Sequence, residues 1–301
     1  MTDQPAEPRI GLIGLGNAGC ALLRALSAHW PVTAYDRDPD RFEAVSDGCV
    51  HPPTPAGSAA EVALASDLII FSLPTPEASL SVALEIREQL GSGKTLVESS
   101  TVSPNVVEAL HGLIEPTGAT VIDIPLIGGV HKLAEGQAVF LVGADEKRAG
   151  AAGRVFKQIA AEVFFLEERG AAMRTKLTVN GVAHGVYVVL TEASALAAAQ
   201  GIPMSVLYRL LERESGLMRP LTHRFGERLL QHDFAGGMST ANARKDSALI
   251  LDTARELGVP LFATAAAHTV YELALREGLS DLDYASIGTL WEKWLGFRFE
   301  P

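Results

Sequence analysis

The sequence contains few cysteines and no cluster of positive charge. Two cysteines in 301 residues are too few for a disulfide framework, and the eight histidines form no metal-ligand spacing. Asp and Glu number 36 against 25 Lys and Arg, and this net charge of −11 disfavours a nucleic-acid partner. The most apolar segment, Val182–Ala199, is interrupted by His184 and Glu192. We therefore expect no metal, no nucleic-acid partner and no membrane partner.

The length and composition predict two domains. A chain of 301 residues with 48% hydrophobic residues is longer than one typical domain and can bury a large core. Residues 1–8 are polar and lack the pattern of a signal peptide, so a flexible N-terminal segment and a cytoplasmic location are expected.

Short apolar runs alternate with helical stretches between residues 9 and 169. This alternation is typical of an α/β domain with a doubly wound, parallel sheet of the Rossmann type. The predicted strands are Ile10–Ile13, Val32–Tyr35, Leu68–Leu73, Thr95–Glu98, Thr120–Ile124, Val139–Val142 and Val163–Leu166.

Strand patterns end at Gly170, and residues 170–301 are predicted to form an all-helical domain. Its first helix, 171–200, is apolar on nearly all sides, so we expect it to be buried. The further predicted helices are Pro203–Glu214, Pro220–Gln231, Thr240–Leu257, Leu261–Glu277 and Tyr284–Trp294. A helical domain of this kind would leave apolar surface uncovered, which predicts a homodimer or homotetramer.

A glycine-rich loop connects the first strand to a helix. The segment Gly14-Leu-Gly16-Asn17-Ala18-Gly19 has the GxGxxG spacing that lets a backbone turn tightly and approach a pyrophosphate at a helix N-terminus. The second strand then ends in Asp36, which can accept hydrogen bonds from the adenosine ribose. These features predict a nicotinamide dinucleotide as cofactor.

The sequence favours NAD over NADP but leaves the choice open. The Asp36 carboxylate would repel a 2′-phosphate, whereas the guanidinium of adjacent Arg37 could bind one or stack on adenine. Leu73-Pro74 and Thr101 follow two later strands at the predicted cofactor edge. Ordinary turn chemistry would explain them equally well.

Lys176 and Asn180 lie one helical turn apart on the long helix and share a face. The residues that follow Lys176 are uncharged, and burial there would lower its pKa and suit it to proton transfer. A lysine whose amine reaches solvent from the start of a helix would have the same spacing.

Six blocks in register resemble the β-hydroxyacid dehydrogenase family, which includes 3-hydroxyisobutyrate dehydrogenase and tartronate semialdehyde reductase and, more distantly, 6-phosphogluconate dehydrogenase. The blocks extend over about residues 9–295. They are Gly11–Gly19, Ser72–Pro74, Glu98–Pro104, Asp123–Gly129 with Gly136, Lys176–Asn180 and Lys245-Asp246.

The resemblance implies specific roles for these residues in hydride transfer between the cofactor and a small β-hydroxyacid or its semialdehyde. Lys176 would be the general acid/base, and Asn180 would bind the substrate. Gly128 and Gly129 would present backbone N–H groups to its carboxylate, and Lys245 would close over the nicotinamide.

The chain departs from the family pattern at Ile127, where a serine is usual. Ile127 removes a hydroxyl donor from the substrate pocket, and nearby His131 or Lys132 could replace the lost polar contact or could be solvated loop residues. Two alternatives stay open. One is an NADPH-dependent ketone, aldehyde or imine reductase of the same superfamily, and the other is a non-catalytic cofactor-binding protein.

Overall fold

The computed structural model describes residues 7–213 and 217–301, which form two compact units, Met1–Gly181 and Val182–Pro301. The sequence places the domain boundary at 169/170, whereas this division falls within the long helix, after its first turns. Residues 1–6 of the predicted flexible N-terminal segment and Glu214 of a predicted helix lie outside the described residues.

The first unit is built on a six-stranded parallel sheet. Its strands are β1 (Ile10–Ile13), β2 (Val32–Tyr35), β3 (Thr54–Pro55), β4 (Leu68–Phe71), β5 (Thr95–Glu98) and β6 (Thr120–Asp123). They lie in the order β3-β2-β1-β4-β5-β6. The order reverses between β1 and β4, and ligands of such sheets bind outside the carboxyl ends of the strands at this point.

Helices pack against both faces of this sheet and enclose two apolar clusters. Four of them begin with a side-chain cap that accepts a backbone N–H of the first turn. The capping residues, each directly before its helix, are Asp38, Ser58, Thr75 and Asp145. The helices are α1 (Asn17–Ser27), α2 (Pro39–Ser46), α3 (Ala59–Ala65), α4 (Pro76–Glu85), α5 (Pro104–Ile114), α6 (Gly129–Ala134) and α7 (Glu146–Ile159).

A second, three-stranded sheet follows, which the sequence did not separate from the first. Its strands are β7 (Leu126–Ile127), β8 (Val139–Val142) and β9 (Glu162–Phe165), with β7 antiparallel to β8. The apolar runs at β8 and β9 indicated strands correctly but not the sheet to which they belong. The two-residue strands β3 and β7 are too short to show a pattern in sequence.

Helix α8 (Ala171–Ala199) has nearly its predicted length, but the expectation that it is buried is wrong within one chain. Val182, for example, is 64% exposed. An apolar composition indicates that a helix surface is more stable when it is removed from water. It does not show whether the same chain or another chain covers that surface. By length and composition alone α8 could cross a membrane, which is weak evidence because core helices of soluble proteins pass the same test.

The described part of the second unit is helical. Within it, the buried carboxylate of Glu192 on α8 accepts the N–H groups of Ala263 and Thr264 at 2.7 and 3.1 Å. Buried Asp283 pairs with Arg224 at 2.8 Å. After α8 come α9 (Met204–Leu211), a π-helix (Pro220–Leu229), α10 (Thr240–Glu256), α11 (Phe262–Arg276), a 3-10 turn (Tyr284–Ile287) and α12 (Gly288–Leu295). The predicted α/β domain followed by a helical region is confirmed.

Candidate active site

A cleft of about 610 Å³ opens where the strand order reverses, at the carboxyl ends of β1, β2 and β4. Most of the residues predicted to bind the cofactor line it: Gly14, Gly16, Asn17, Ala18, Asp36, Arg37, Leu73 and Pro74. The predicted residues Gly19, Thr101 and Lys245 do not line it.

The glycine loop has the geometry of a phosphate-binding turn. Gly14 has a φ of +98°, and a Cβ atom there would lie 2.2 Å from the carbonyl oxygen of Ser72. A Cβ atom on Gly19 would lie 1.9 Å from the carbonyl oxygen of Gly14, so Gly19 allows close packing of α1 on the loop rather than ligand contact.

The N-terminus of α1 fits the pyrophosphate of a dinucleotide. Gly16 is the N-cap, no side chain among the described residues caps this helix, and its first turn contains no acidic residue. The unpaired N–H groups and the positive end of the helix dipole therefore face the cleft, and no acidic residue of the helix itself competes for them.

Asp36 is half-buried and holds the loop in place. Its Oδ2 accepts the N–H of Leu15 at 2.6 Å, and its Oδ1 accepts the N–H of Asp38 at 2.9 Å. Arg37 and Arg41 line the same cleft. Sequence reasoning missed Arg41, although its position one turn along from Arg37 on the segment after β2 could have drawn attention to it.

A chain of hydrogen bonds joins the loops after β4 and β5. The Leu73 N–H donates to Ser100 Oγ at 2.8 Å, and the Ser100 N–H donates to Glu98 Oε1 at 2.8 Å. Glu98 is fully buried, and this burial raises its pKa to about 7. Thr101 is exposed beside this chain. Sequence reasoning placed Ser100 and Thr101 together at the cofactor edge, but it did not single out Glu98 as a residue that shapes the cleft.

Lys176 is half-buried, and its Nζ donates a hydrogen bond to the carbonyl oxygen of Leu126. Desolvation lowers the pKa of this amine below its ordinary value. Asn180, one turn further along α8, is also half-buried. Lys176 is thus held against the segment that was predicted to bind the substrate, and it does not extend freely into solvent.

That segment turns sharply after β7. Ile127 is half-buried, and Gly128 and Gly129 follow with φ angles of +87° and +79°. His131 and Lys132 are exposed, and the Lys132 amine is paired with Glu135 at 2.9 Å. Both residues lie on the short helix α6 rather than in a loop, and the local partner of Lys132 favours a solvated surface residue.

Lys245 lies on α10 in the second unit. It is exposed, and its amine is 3.3 Å from Asp246 Oδ1. Its role in closing over the nicotinamide stays a prediction.

Comparisons with known proteins identify the family. A family described as the NAD binding domain of 6-phosphogluconate dehydrogenase matches residues 9–167. A second, described as NAD-binding of NADP-dependent 3-hydroxyisobutyrate dehydrogenase, matches residues 170–291. The chain belongs to the β-hydroxyacid dehydrogenase family. It is therefore an oxidoreductase that uses a nicotinamide dinucleotide.

Individual relatives are distant but extend over nearly the whole chain. Mitochondrial 3-hydroxyisobutyrate dehydrogenase from Rattus norvegicus is 28% identical, with 92% of this chain and 85% of the relative covered. L-threonate dehydrogenase from Cupriavidus necator is also 28% identical, with 92% and 94% covered. An imine reductase structure from Pseudomonas sp. has a TM-score of 0.85 at 23% identity, covering 94% of this chain and 99% of that chain. This last similarity shows the fold alone.

Proposed function

We propose that the chain transfers a hydride between NAD and a short β-hydroxyacid or the matching semialdehyde, with Lys176 as the general acid/base. The observation that carries this proposal is the half-buried amine of Lys176, held against the Leu126–Gly129 segment with a lowered pKa. The names of the relatives add support, since 3-hydroxyisobutyrate and L-threonate both carry a hydroxyl β to a carboxylate.

Each residue has a defined task in this reaction. The nicotinamide supplies the hydride acceptor when the cofactor is bound. In the oxidation direction the neutral amine of Lys176 takes the hydroxyl proton. Burial keeps the amine in this neutral form before the reaction, because it destabilises the charged ammonium form. In the reverse direction the ammonium returns that proton to the carbonyl oxygen. Asn180 shares the helix face of Lys176 and orients the hydroxyl group by a hydrogen bond.

The substrate carboxylate is assigned to the glycine turn. Gly128 and Gly129 both adopt positive φ angles, which lets consecutive N–H groups turn toward one anion. Ile127 contributes no donor, so the backbone and Asn180 replace the hydroxyl contact that the family usually makes. This arrangement favours a small substrate with an apolar group beside its carboxylate.

A substrate panel tests the proposal. Short β-hydroxyacids with NAD and NADP, and semialdehydes with NADH and NADPH, are assayed by the absorbance of the reduced cofactor. Lys176→Met should lower kcat by about 100-fold or more, because general acid/base catalysis contributes factors of this size. The matched control is Lys147→Met, which removes an exposed lysine of α7. Near-normal turnover by Lys176→Met would exclude the assignment.

A second candidate function is reduction of ketones, aldehydes or imines by NADPH. The observation that favours it is Ile127, an apolar side chain at a position where a carboxylate-binding hydroxyl is usual. The same panel therefore includes a cyclic imine and a simple ketone. Turnover of these, without turnover of any hydroxyacid or semialdehyde, would replace the first proposal with the second. Cofactor binding without turnover of any substrate would favour a non-catalytic protein.

We further propose that NAD is preferred over NADP. Asp36 reaches the cleft next to the ribose position expected for a Rossmann domain, and its charge opposes a 2′-phosphate. Asp36→Ser should weaken NAD binding and improve the relative affinity for NADP, since the carboxylate expected beside the ribose would be lost while Arg37 and Arg41 still line the cleft. An at least tenfold preference of the unmodified chain for NADP would overturn this reading of Asp36.

Finally, we propose that two or four copies of the chain assemble through α8. Val179, Val182, Val186 and Val189 are all exposed, and their spacings of three, four and three residues form a single stripe. This is the a/d spacing of a helix that packs against other helices. A second copy of the helical unit is the occupant that the chain itself can supply. Light scattering at several concentrations should give a dimer or tetramer mass, and a monomer throughout would contradict the proposal.

A further inference from the structure

Two carboxylates are buried side by side at the carboxyl ends of neighbouring strands. Glu98 ends β5, Asp123 ends β6, and the two are register partners in the parallel sheet. Both side chains are 0% exposed. A buried carboxylate is costly unless it is hydrogen-bonded, so the partners of each indicate what it is for.

The partners of Asp123 are backbone groups at the start of α8. Its Oδ1 accepts the N–H of Gly170 at 3.1 Å, and its Oδ2 accepts the N–H of Met173 at 2.9 Å. The first N–H groups of a helix have no partners within the helix. Asp123 therefore caps α8 from a different element, with both oxygens of one carboxylate.

The surrounding structure leaves the carboxylate no room to move. The N–H of Gly143 donates to the backbone oxygen of Asp123 at 2.9 Å, and a Cβ atom on Gly143 would lie 1.9 Å from Asp123 Oδ1. Charged groups that act on Asp123 are Glu98 from β5 and Arg174 from α8. The position of the carboxylate is thus set by β6, the end of β8 and α8 together.

The same short segment also holds Lys176. Leu126, which accepts the hydrogen bond of Lys176 Nζ, is separated from Asp123 only by Ile124 and Pro125. Lys176 itself follows Met173 by less than one helical turn. The residues from Asp123 to Leu126 therefore fix both the start of the helix and the amine that the helix carries.

We propose that Asp123 is a positioning residue. It fixes the position of α8 along the helix axis and the rotation of α8 about that axis, and so places Lys176 in its half-buried site. This inference rests on the proposed function of Lys176 for its catalytic meaning, but not for its structural content. Other contacts hold α8 in the absence of Asp123. Arg169 lies 3.6 Å from Glu108, and Met173 packs with Val102 and Val107. A substitution at Asp123 should therefore loosen the helix start without unfolding the domain.

The variant that tests this is Asp123→Asn. An amide has one acceptor oxygen, so only one of the two N–H groups keeps its partner. We expect NAD affinity within about twofold of the unmodified chain, because Asp123 does not line the cofactor cleft. We expect kcat to fall by about tenfold or more, since a displacement of about 1 Å at a catalytic group has effects of up to about 100-fold.

A second measurement does not depend on turnover. An amine-reactive reagent modifies only the neutral form of a lysine, so the pH dependence of modification at Lys176, read by mass spectrometry of its peptide, follows the titration of that amine. In Asp123→Asn the titration should move upward by about half a pH unit or more, because a displaced amine is better solvated. If it moves while kcat does not, Asp123 positions Lys176 but the proposed role of Lys176 is wrong. If it does not move, the inference is overturned whatever happens to kcat.

The matched control is Asp145→Asn. Asp145 caps α7 in the same unit, and its Oδ1 accepts the N–H of Arg148 at 2.8 Å, but α7 carries no site residue. An equal shift of the Lys176 titration in this control would show a general loss of stability and would also overturn the inference.

Hydrogen exchange in the unmodified chain decides the matter if Asp123→Asn does not fold. The amides of Gly170 and Met173 should exchange much more slowly than those in the first turn of α1, which has no side-chain cap. Equal exchange at the two helix starts would contradict a cap by Asp123.

Discussion

The two units of this chain differ in how they cover their apolar residues. In the first, every residue of β1 and β4 is buried, and helices on both faces complete the core. In the second, large apolar side chains such as Phe262, which is 77% exposed, remain on the surface together with the stripe on α8. The α/β unit completes its core within one chain, whereas the helical unit offers surface that another chain can cover.

The largest expected effect comes from placing charge on the α8 stripe. In a double variant, Val182→Glu with Val186→Glu, assembly would bury two unpaired carboxylates, each costing several kcal/mol. We expect the dissociation constant between copies to rise by about 1000-fold or more, which corresponds to about 4 kcal/mol. Analytical ultracentrifugation over a range of concentrations measures this change.

The matched control for this variant is Val50→Glu, which changes a valine that is 70% exposed in the first unit. It should leave the assembled mass unchanged. If the double variant assembles as well as the control does, the α8 stripe is not an interface. The exposed apolar residues of the helical unit are then not covered by a second copy through α8.

The second largest effect is expected inside the first unit. At Gly19 an added Cβ would lie 1.9 Å from a backbone oxygen, so α1 and the glycine loop must separate. We expect Gly19→Ala to lower the free energy of unfolding by about 3 kcal/mol, the upper range for overpacking. Chemical denaturation measures this, and titration with NADH should show weakened binding as well.

Gly16→Ala is the informative partner of that variant. Its added Cβ would meet only the end of the Arg41 side chain, at 3.4 Å, so stability should change little. Cofactor binding should still weaken, because the methyl group occupies the surface that a pyrophosphate approaches. Equal destabilisation by both variants would contradict separate roles for the two glycines, with Gly19 required for packing and Gly16 for cofactor binding.

Sequence patterns predicted the parts of this molecule that are local. Five of the six strands of the main sheet, the glycine loop and Asp36 depend on short runs of neighbouring residues, so periodicity and spacing reveal them. The separate sheet that contains β8 was not predicted, because its partner β7 has only two residues. Arg41 and Ser72 also line the cleft. Arg41 was missed although it lies one turn along from Arg37, and Ser72 was named only as the first residue of a block in the family resemblance.

The errors concern long-range contacts and the exposure of α8. The Lys176 candidate was evident from its uncharged surroundings, but its contact with Leu126 depends on residues far apart in sequence, as does the cap that Asp123 provides. Burial of α8 was predicted wrongly because hydrophobicity indicates only that the helix surface is more stable away from water. It does not indicate whether the same chain or another chain buries that surface.

Glu98 should make the free energy of unfolding of the first unit depend on pH. Its folded-state pKa of about 7 exceeds the ordinary 4.5, and its Oε2 has no partner among the described residues. The folded state then binds the proton more tightly, so the stabilisation from this group is present at low pH and is lost as the pH rises from about 4.5 through 7. Over that interval the unmodified chain should lose about 3 kcal/mol relative to Glu98→Gln.

Denaturation of both proteins at several pH values measures this difference. Glu85→Gln, at an exposed position on α4, is the control and should follow the unmodified chain at every pH. Parallel curves for Glu98→Gln and the unmodified chain would mean that Glu98 stays ionised in the folded state.

The smallest expected effect is on stability, and it compares one exposed glycine in the first unit with one on α8. Gly112 on α5 and Gly185 on α8 both have open space where a Cβ would be, within the single chain. Gly112→Ala should raise the free energy of unfolding by about 0.5–1 kcal/mol at every protein concentration, because alanine loses less backbone entropy in a helix. Gly185→Ala should give the same gain only in dilute solution, since at higher concentration its methyl group would meet the second copy. A concentration-independent gain at both positions would show that α8 around Gly185 stays uncovered, as it is in one chain.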